Sequence, residues 1–560
     1  MLRSASAAAL ALALLAGSAG AQQATARKTA RPADEPGRAS QKSAHPGRAP
    51  DEPSVGPEET DTQAGEDARV ERARANRLVD AEIALAPVRE VRRATRHTAV
   101  IGGRSIAYTA TAGTLTIRND EGKPTASMFY VAYTAGGGAP DPHRPVTFFY
   151  NGGPGSSTMW LHMGSLGPVR VTTDSPQATA GPPFRYGNNP DSLLDTSDLV
   201  FLDAVGTGFS RPLGDTKLEA FWGTDPDIDA FARGIERYLT ANGRWNSPKF
   251  LFGESYGTTR SAGLSYRLAQ DGAQLNGVIL LSSILNYGRR DPGFDRELVN
   301  YIPTYAAAAA YHHKINGSAD PAFLQQVRAW ADGPYAHALS EGQTLSDAER
   351  QQVAQQMSAY TGLSTRFILD SDLRVEPGAF RKELLRDQRR TLGRYDARFT
   401  GIDVSAAGDS EEFDPSDTGI TGAFVSTFHD YLARDLDFST ELTYRPTYYQ
   451  NGLQWSFNHR APGARGPYGG TNQADVAQDL SAAMRENPHL QVYSLNGVYD
   501  MATPFFGTEY DLNHMQLDRT LHANLHFAYY PSGHMVYLNQ EAAHEMKADL
   551  VRFYGAAAPR

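Results

Sequence analysis

The sequence predicts an α/β fold, with a mostly parallel central sheet flanked by helices and a mainly helical insertion within it. Three observations predict it. Short, largely apolar runs recur at 146–150, 199–202, 250–252, 278–281 and 491–495, and strands without polar alternation are strands covered on both faces. Helical spacing follows several of these runs, as at 258–270, which is the alternation of an α/β chain. A glycine-flanked serine, Gly253-Glu254-Ser255-Tyr256-Gly257, stands where one such run meets a helical stretch.

Taken in order, residues 1–21 read as a secretory signal peptide. Arg3 supplies the positive start, 7–16 an unbroken Ala/Leu run, and Ala19-Gly20-Ala21 a small-residue cleavage site after Ala21. The apolar run is shorter than the roughly 20 residues that span a bilayer. Residues 22–75 are rich in Ala, Pro, Gln, Ser and Gly and poor in large apolar side chains, so a disordered linker is expected there. A short charged helix is expected from about 70. Residues 76–286 form the first part of the core, opening with antiparallel strands at 106–109, 114–117 and 128–131. Gly102-Gly103 and Asn119-Asp120-Glu121-Gly122 supply turn chemistry beside them. Residues 287–449 break the strand rhythm and read as a helical cap. Ser346-Asp347-Ala348-Glu349 is a capping box, and 380–392 and 422–432 also have helical spacing. Residues 450–560 return to the sheet.

Bulk composition narrows the function. Hydrophobic residues at 41% suffice for a large core, and a net charge of −10 gives no reason to expect nucleic acid or an anionic membrane as partner. No later segment reads as a membrane span. The absence of cysteine rules out disulfides, zinc–thiolate sites and thiol nucleophiles. An exported chain without cysteine suits a bacterial periplasm or the medium. No metal or cofactor is expected. There is no His-Glu-x-x-His, and His312-His313 are adjacent in a helical stretch, where neighbours point to different faces.

The Gly-x-Ser-x-Gly block in a strand-to-helix context is the pattern of a nucleophile elbow in an α/β hydrolase. Serine needs a base, and the base an orienting acid. In this architecture their chain order is serine, acid, histidine. Asp500 lies just past the apolar strand at 491–495. His534, in Pro531-Ser532-Gly533-His534, lies just past the run at 525–530. Both therefore sit beyond strand carboxyl ends, where open α/β sheets bind ligands. The candidate catalytic residues are thus Ser255, Asp500 and His534. Asn151-Gly152-Gly153-Pro154-Gly155 follows another strand, and the N–H groups of Gly153 and Tyr256 are the candidate oxyanion donors.

These blocks, with Ser156-Ser157, Asp203-Ala204-Val205-Gly206-Thr207-Gly208-Phe209-Ser210, Gly497-Val498-Tyr499-Asp500 and Gly533-His534-Met535-Val536, together resemble the signature blocks of the serine carboxypeptidase family, peptidase family S10. The resemblance implies a peptide or protein substrate trimmed from its C-terminus. It also implies that Asn151, Gly152 and Glu254 bind the terminal carboxylate, Glu254 doing so when protonated. Two features depart from the family pattern. Ser165 stands where a second glutamate is usual, so Glu254 is expected to ionise at lower pH. Ser156 replaces the family's cysteine. The same triad would also serve an esterase or acyltransferase, and the same fold a non-catalytic binding protein. The oligomeric state and the preferred scissile residue are not legible.

Overall fold

The computed structural model describes residues 82–136, 141–291, 293–448, 454–466 and 469–558. The signal peptide expected at 1–21, the linker expected at 22–75 and most of the charged helix expected from about 70 lie outside these residues. Among the described residues, nine strands form the main path of the ten-stranded sheet: β1 (Arg92–Ile101), β2 (Arg104–Arg118), β3 (Pro124–Ala135), β4 (Val146–Tyr150), β5 (Asp198–Leu202), β6 (Lys249–Glu254), β7 (Gly277–Leu281), β8 (Gln491–Gly497) and β9 (Leu525–Tyr530), the tenth, Arg211–Pro212, pairing with β3 off that path. They lie in the order β1-β2-β3-β5-β4-β6-β7-β8-β9. The first three pair antiparallel, as does β3 with β5. Every pairing from β5 to β9 is parallel. This is an α/β-hydrolase sheet, as the apolar runs predict.

Side chains alternate across each strand, and here both faces are dry. Phe149, Phe201, Phe252 and Ile279 enter one core, with Trp160, Phe424 and Tyr554. Their neighbours Phe148, Val200, Leu251 and Val278 enter the other, with Phe231, Leu264 and Leu480. Covering both faces is what fixes the register, since a one-residue slip would exchange the two sets.

Two local expectations fail. The runs at 106–109 and 114–117 are one 15-residue strand, β2. The small residues between them read as a break. They pair across β3 instead, Ala110 with Tyr133 and Gly113 with Tyr130, and a side chain at Gly113 would meet the Tyr130 ring at 3.2 Å. The expected helix at 380–392 stops early. It spans Pro377–Glu383, Arg389 adopts a left-handed φ of 55°, and Thr391–Leu392 is a strand.

The stretch 287–449 divides between two cores. The helices Arg296–Tyr311, Pro321–Trp330 and Asp347–Thr361 share a separate core with Leu392, Ala397, Val498, Tyr499 and Met501. The helix Pro415–Arg434 instead packs into the sheet's own core through Phe424 and Phe428. Ser346 and Glu349 form the reciprocal capping box. Among the described residues no helix is long and apolar enough to cross a membrane.

Candidate active site

β6 ends at Glu254, and the helix Tyr256–Gln270 begins two residues later. Ser255 makes the turn with φ 61° and ψ −130°, a left-handed strain that non-glycine residues avoid. Close backbone approach holds it there. A side chain at Gly253 would lie 2.1 Å from the Gly257 carbonyl oxygen, and one at Gly152 would lie 2.4 Å from the Tyr256 nitrogen. The Ser255 N–H donates to the Leu281 carbonyl at the end of β7, 3.0 Å. The first N–H groups of the helix have no intrahelical acceptor, so the Tyr256 N–H is free in principle for an anion.

Asp500 follows β8 and is fully buried. Its Oδ1 accepts from the N–H groups of Ala502, 2.8 Å, and Thr503, 3.0 Å. Its Oδ2 accepts from the Thr503 hydroxyl, 2.8 Å, and faces His534 Nδ1 at 2.7 Å. With Nδ1 donating to Asp500, Nε2 of His534 is left as an acceptor. Burial opposes a charge on this imidazole, but the charge and hydrogen bond of Asp500, with Glu254 adding, lift its pKa above the ordinary value.

A cavity of about 320 Å³ is lined by Asn151, Gly152, Gly153, Glu254, Ser255 and His534. The structure thus brings together on one cavity six of the candidates read from the sequence. Asp500 stands behind His534, and Tyr256 follows Ser255 into the helix. Glu254 is buried, and burial pushes its pKa up to about 7 against the opposing pull of His534, Tyr537 and Asn151. The Tyr537 hydroxyl donates to its Oε2 at 2.9 Å. Ser165 is buried too, and its hydroxyl donates back to the Leu161 carbonyl. The fall in the Glu254 pKa expected from losing a carboxylate partner is therefore offset by desolvation.

Several neighbours escaped the sequence reading. Residues 394–398, far from the strands that carry the candidate acid and base, tie both loops together. The Tyr395 carbonyl accepts from the His534 N–H at 2.6 Å, and the Arg394 carbonyl from the Met501 N–H at 3.1 Å. The Ala397 N–H donates to the Tyr499 carbonyl at 3.0 Å. Arg398 pairs with Asp396 and donates to the Pro531 carbonyl, 2.8 Å, and the Ser532 hydroxyl, 3.2 Å. The Tyr395 ring lies 5.1 Å from the His534 ring. No motif marks this strap. Tyr537 carried a signal, standing three residues past His534, but Trp160, Asp417 and Thr503 carried none.

The sheet order and the elbow at the carboxyl end of β6 define an α/β hydrolase. Residues 104–292 match the family described as Peptidase_S10, serine carboxypeptidase. That span holds Asn151, Gly152, Gly153, Glu254, Ser255 and Tyr256, whereas Asp500 and His534 lie beyond it. A curated relative, Serine carboxypeptidase-like 50 of Arabidopsis thaliana, is 26% identical over 258 residues, 44% of this chain and 51% of the relative. The chain thus spans about half the length of that relative. Family match and relative agree in supporting the serine carboxypeptidase family. Among solved structures, a prohormone-processing carboxypeptidase from Saccharomyces cerevisiae is 16% identical, covering 80% of this chain and 91% of its own, with a TM-score of 0.48. A proline iminopeptidase from Mycobacterium smegmatis is 13% identical over 80% and 98%, with a TM-score of 0.33.

Proposed function

We propose that this chain is a secreted or periplasmic serine carboxypeptidase that releases C-terminal residues through a Ser255–His534–Asp500 acyl-enzyme. The observation that carries the reading is the 2.7 Å Asp500–His534 pair, whose imidazole shares one cavity with the strained Ser255 and the buried Glu254. Ser255 Oγ attacks the scissile carbonyl carbon as its proton passes to His534 Nε2. The N–H groups of Gly153 and Tyr256 hold the resulting oxyanion. When the carbon–nitrogen bond breaks, Nε2 returns the proton to the leaving amine. Water then gives a proton to the same nitrogen as it attacks the ester carbon, and Nε2 passes that proton to Ser255 Oγ as the carbon–oxygen bond breaks.

Asn151, Gly152 and Glu254 hold the terminal carboxylate. The Asn151 Oδ1 accepts from the Leu161 N–H at 2.9 Å, which fixes the amide. A neutral Glu254 can donate to a carboxylate, and an ionised one repels it. Residues 287–449 act as a cap through Tyr395 and Asp417, which line the cavity. Export rests on the leader at 1–21.

The test is digestion of peptides with free and with amidated C-termini by the wild type and Ser255→Ala. Stepwise shortening of the free form alone, lost in the variant, is the expected result. Internal cleavage, or equal trimming of amidated peptides, would overturn it.

A further inference from the structure

The carboxypeptidase reading leaves one carboxylate on the cavity without a part in the chemistry or in carboxylate binding. Asp417 lies in the first turn of the helix Pro415–Arg434 and lines the same 320 Å³ space as Glu254 and Ser255. A first-turn acid is favoured by the helix dipole whichever way it faces; this one faces the cavity. Its contacts leave it short of a counter-charge. Thr421 donates to Oδ1 at a long 3.4 Å, and among the described residues Asp417 joins no ion pair. Arg394 acts on it only through space, and its guanidinium lies 5.3 Å from the centre of the Tyr395 ring. Burial and the neighbouring Asp414 push the Asp417 pKa up, with Thr421 and Arg394 pulling the other way. A half-buried carboxylate held at such a cost gains most from a cation brought to it.

The remaining walls suit that cation. Trp160 and Tyr395 line the cavity beside Asp417, and aromatic faces attract ammonium and guanidinium groups while packing against their methylene stems. Trp160 is fixed by Phe424, whose ring lies 5.3 Å away on the helix that carries Asp417. Asn151, Gly152 and Glu254 stand on the same cavity. A residue whose carboxylate is held by that group therefore directs its side chain into the space that Asp417 faces.

Resting on the carboxypeptidase reading, the geometry points to Asp417 as the residue that selects a cationic side chain, lysine or arginine, on the C-terminal residue to be released. The terminal residue is held at both ends, its carboxylate at Asn151 and Glu254 and its side-chain cation at Asp417.

The test uses peptides that differ only in a last residue of lysine, arginine, norleucine or glutamate. Norleucine keeps the lysine chain and lacks the ammonium. The wild type should release lysine and arginine with a kcat/KM about tenfold or more above norleucine, the scale of one charge-assisted contact. In Asp417→Asn that ratio should fall toward one, and in Asp417→Lys the preference should pass to glutamate. Labelling of Ser255 by a fluorophosphonate reports whether each variant is folded. Equal wild-type rates on lysine and norleucine, or a ratio unmoved in both labelled variants, would overturn the inference. If none of the four peptides is shortened while small esters are still hydrolysed through Ser255, the carboxypeptidase reading itself falls and takes this inference with it. That outcome is distinct from equal trimming.

Discussion

The proposed nucleophile and the proposed base are held in different ways. Ser255 is positioned by its own neighbourhood, through a strained φ, glycines that let backbone meet backbone, and a strand and helix that abut. His534 is positioned at a distance. Its N–H is bound by Tyr395, its carbonyl by the Ser282 hydroxyl at 2.7 Å, and its loop by Arg398. A side chain at Gly533 would lie 2.4 Å from Asp396 Cβ, so that loop and the strap are packed as one unit. One half of the proposed site is thus a local motif, and the other is assembled by a segment more than a hundred residues away in sequence.

The comparison breaks most sharply at the elbow. Ser255→Ala should lower kcat by about 10⁶, the scale seen when a triad nucleophile is removed. Its thermal unfolding midpoint should stay near the wild type, because the backbone and not the hydroxyl makes the turn. A steady-state assay with a calorimetric scan checks both halves. Turnover that survived in a folded variant would place the chemistry elsewhere.

Asp500→Asn should cost less, about 10⁴ in kcat. The amide can still accept from Ala502 and Thr503, but it no longer stabilises the imidazolium or selects the Nδ1–H tautomer. KM for a peptide should change far less than kcat, which single-turnover and steady-state rates together would show.

The strap supplies the third test. Arg398→Met removes donors from the Pro531 carbonyl and Ser532 hydroxyl and leaves Asp396 buried without its partner. A buried charge left unpaired costs about 3–5 kcal/mol, so stability should drop. If the strap positions the base, kcat should also fall about tenfold with KM little changed, and Arg398→Lys should restore part of it. A fall in stability alone, with kcat intact, would make the strap merely structural.

The same contrast decides what the sequence made legible. The fold was readable because strands covered on both faces are apolar without alternation, and the sheet order follows the chain from β4 onward with one exchange. The elbow was readable because backbone crowding demands glycine at set offsets. The strap was not, because Tyr395, Asp396 and Arg398 act through carbonyls and a guanidinium that touch loops remote in sequence, and no periodicity records such contacts. Small residues hid the continuity of β2 for a related reason, since Ala110 and Gly113 sit opposite Tyr133 and Tyr130 of β3, and Gly113 also against the Val91 carbonyl, contacts remote in sequence.

Glu254 gives the smallest effect and the finest distinction. Its pKa stands near 7 because burial disfavours the charge. Below that pH the carboxyl is neutral and can donate to a substrate carboxylate; above it the group is ionised and repels one. His534 works in the opposite sense. Its pKa is raised above the ordinary value by Asp500, and only its neutral form accepts the Ser255 proton, so its contribution grows as pH rises. On a free C-terminus the two titrations therefore oppose each other: deprotonation of His534 raises activity, and ionisation of Glu254, at about 7, lowers it. A small ester, which lacks the terminal carboxylate, should show the rise without the fall. Glu254→Gln keeps a donor at every pH, so its profile on peptides should lose the alkaline fall and resemble that of the ester, at a cost of a few-fold in kcat/KM at the optimum, about 1 kcal/mol. Peptide and ester profiles that fall together at high pH, in wild type and variant alike, would assign the alkaline limb to another group and remove Glu254 from carboxylate recognition.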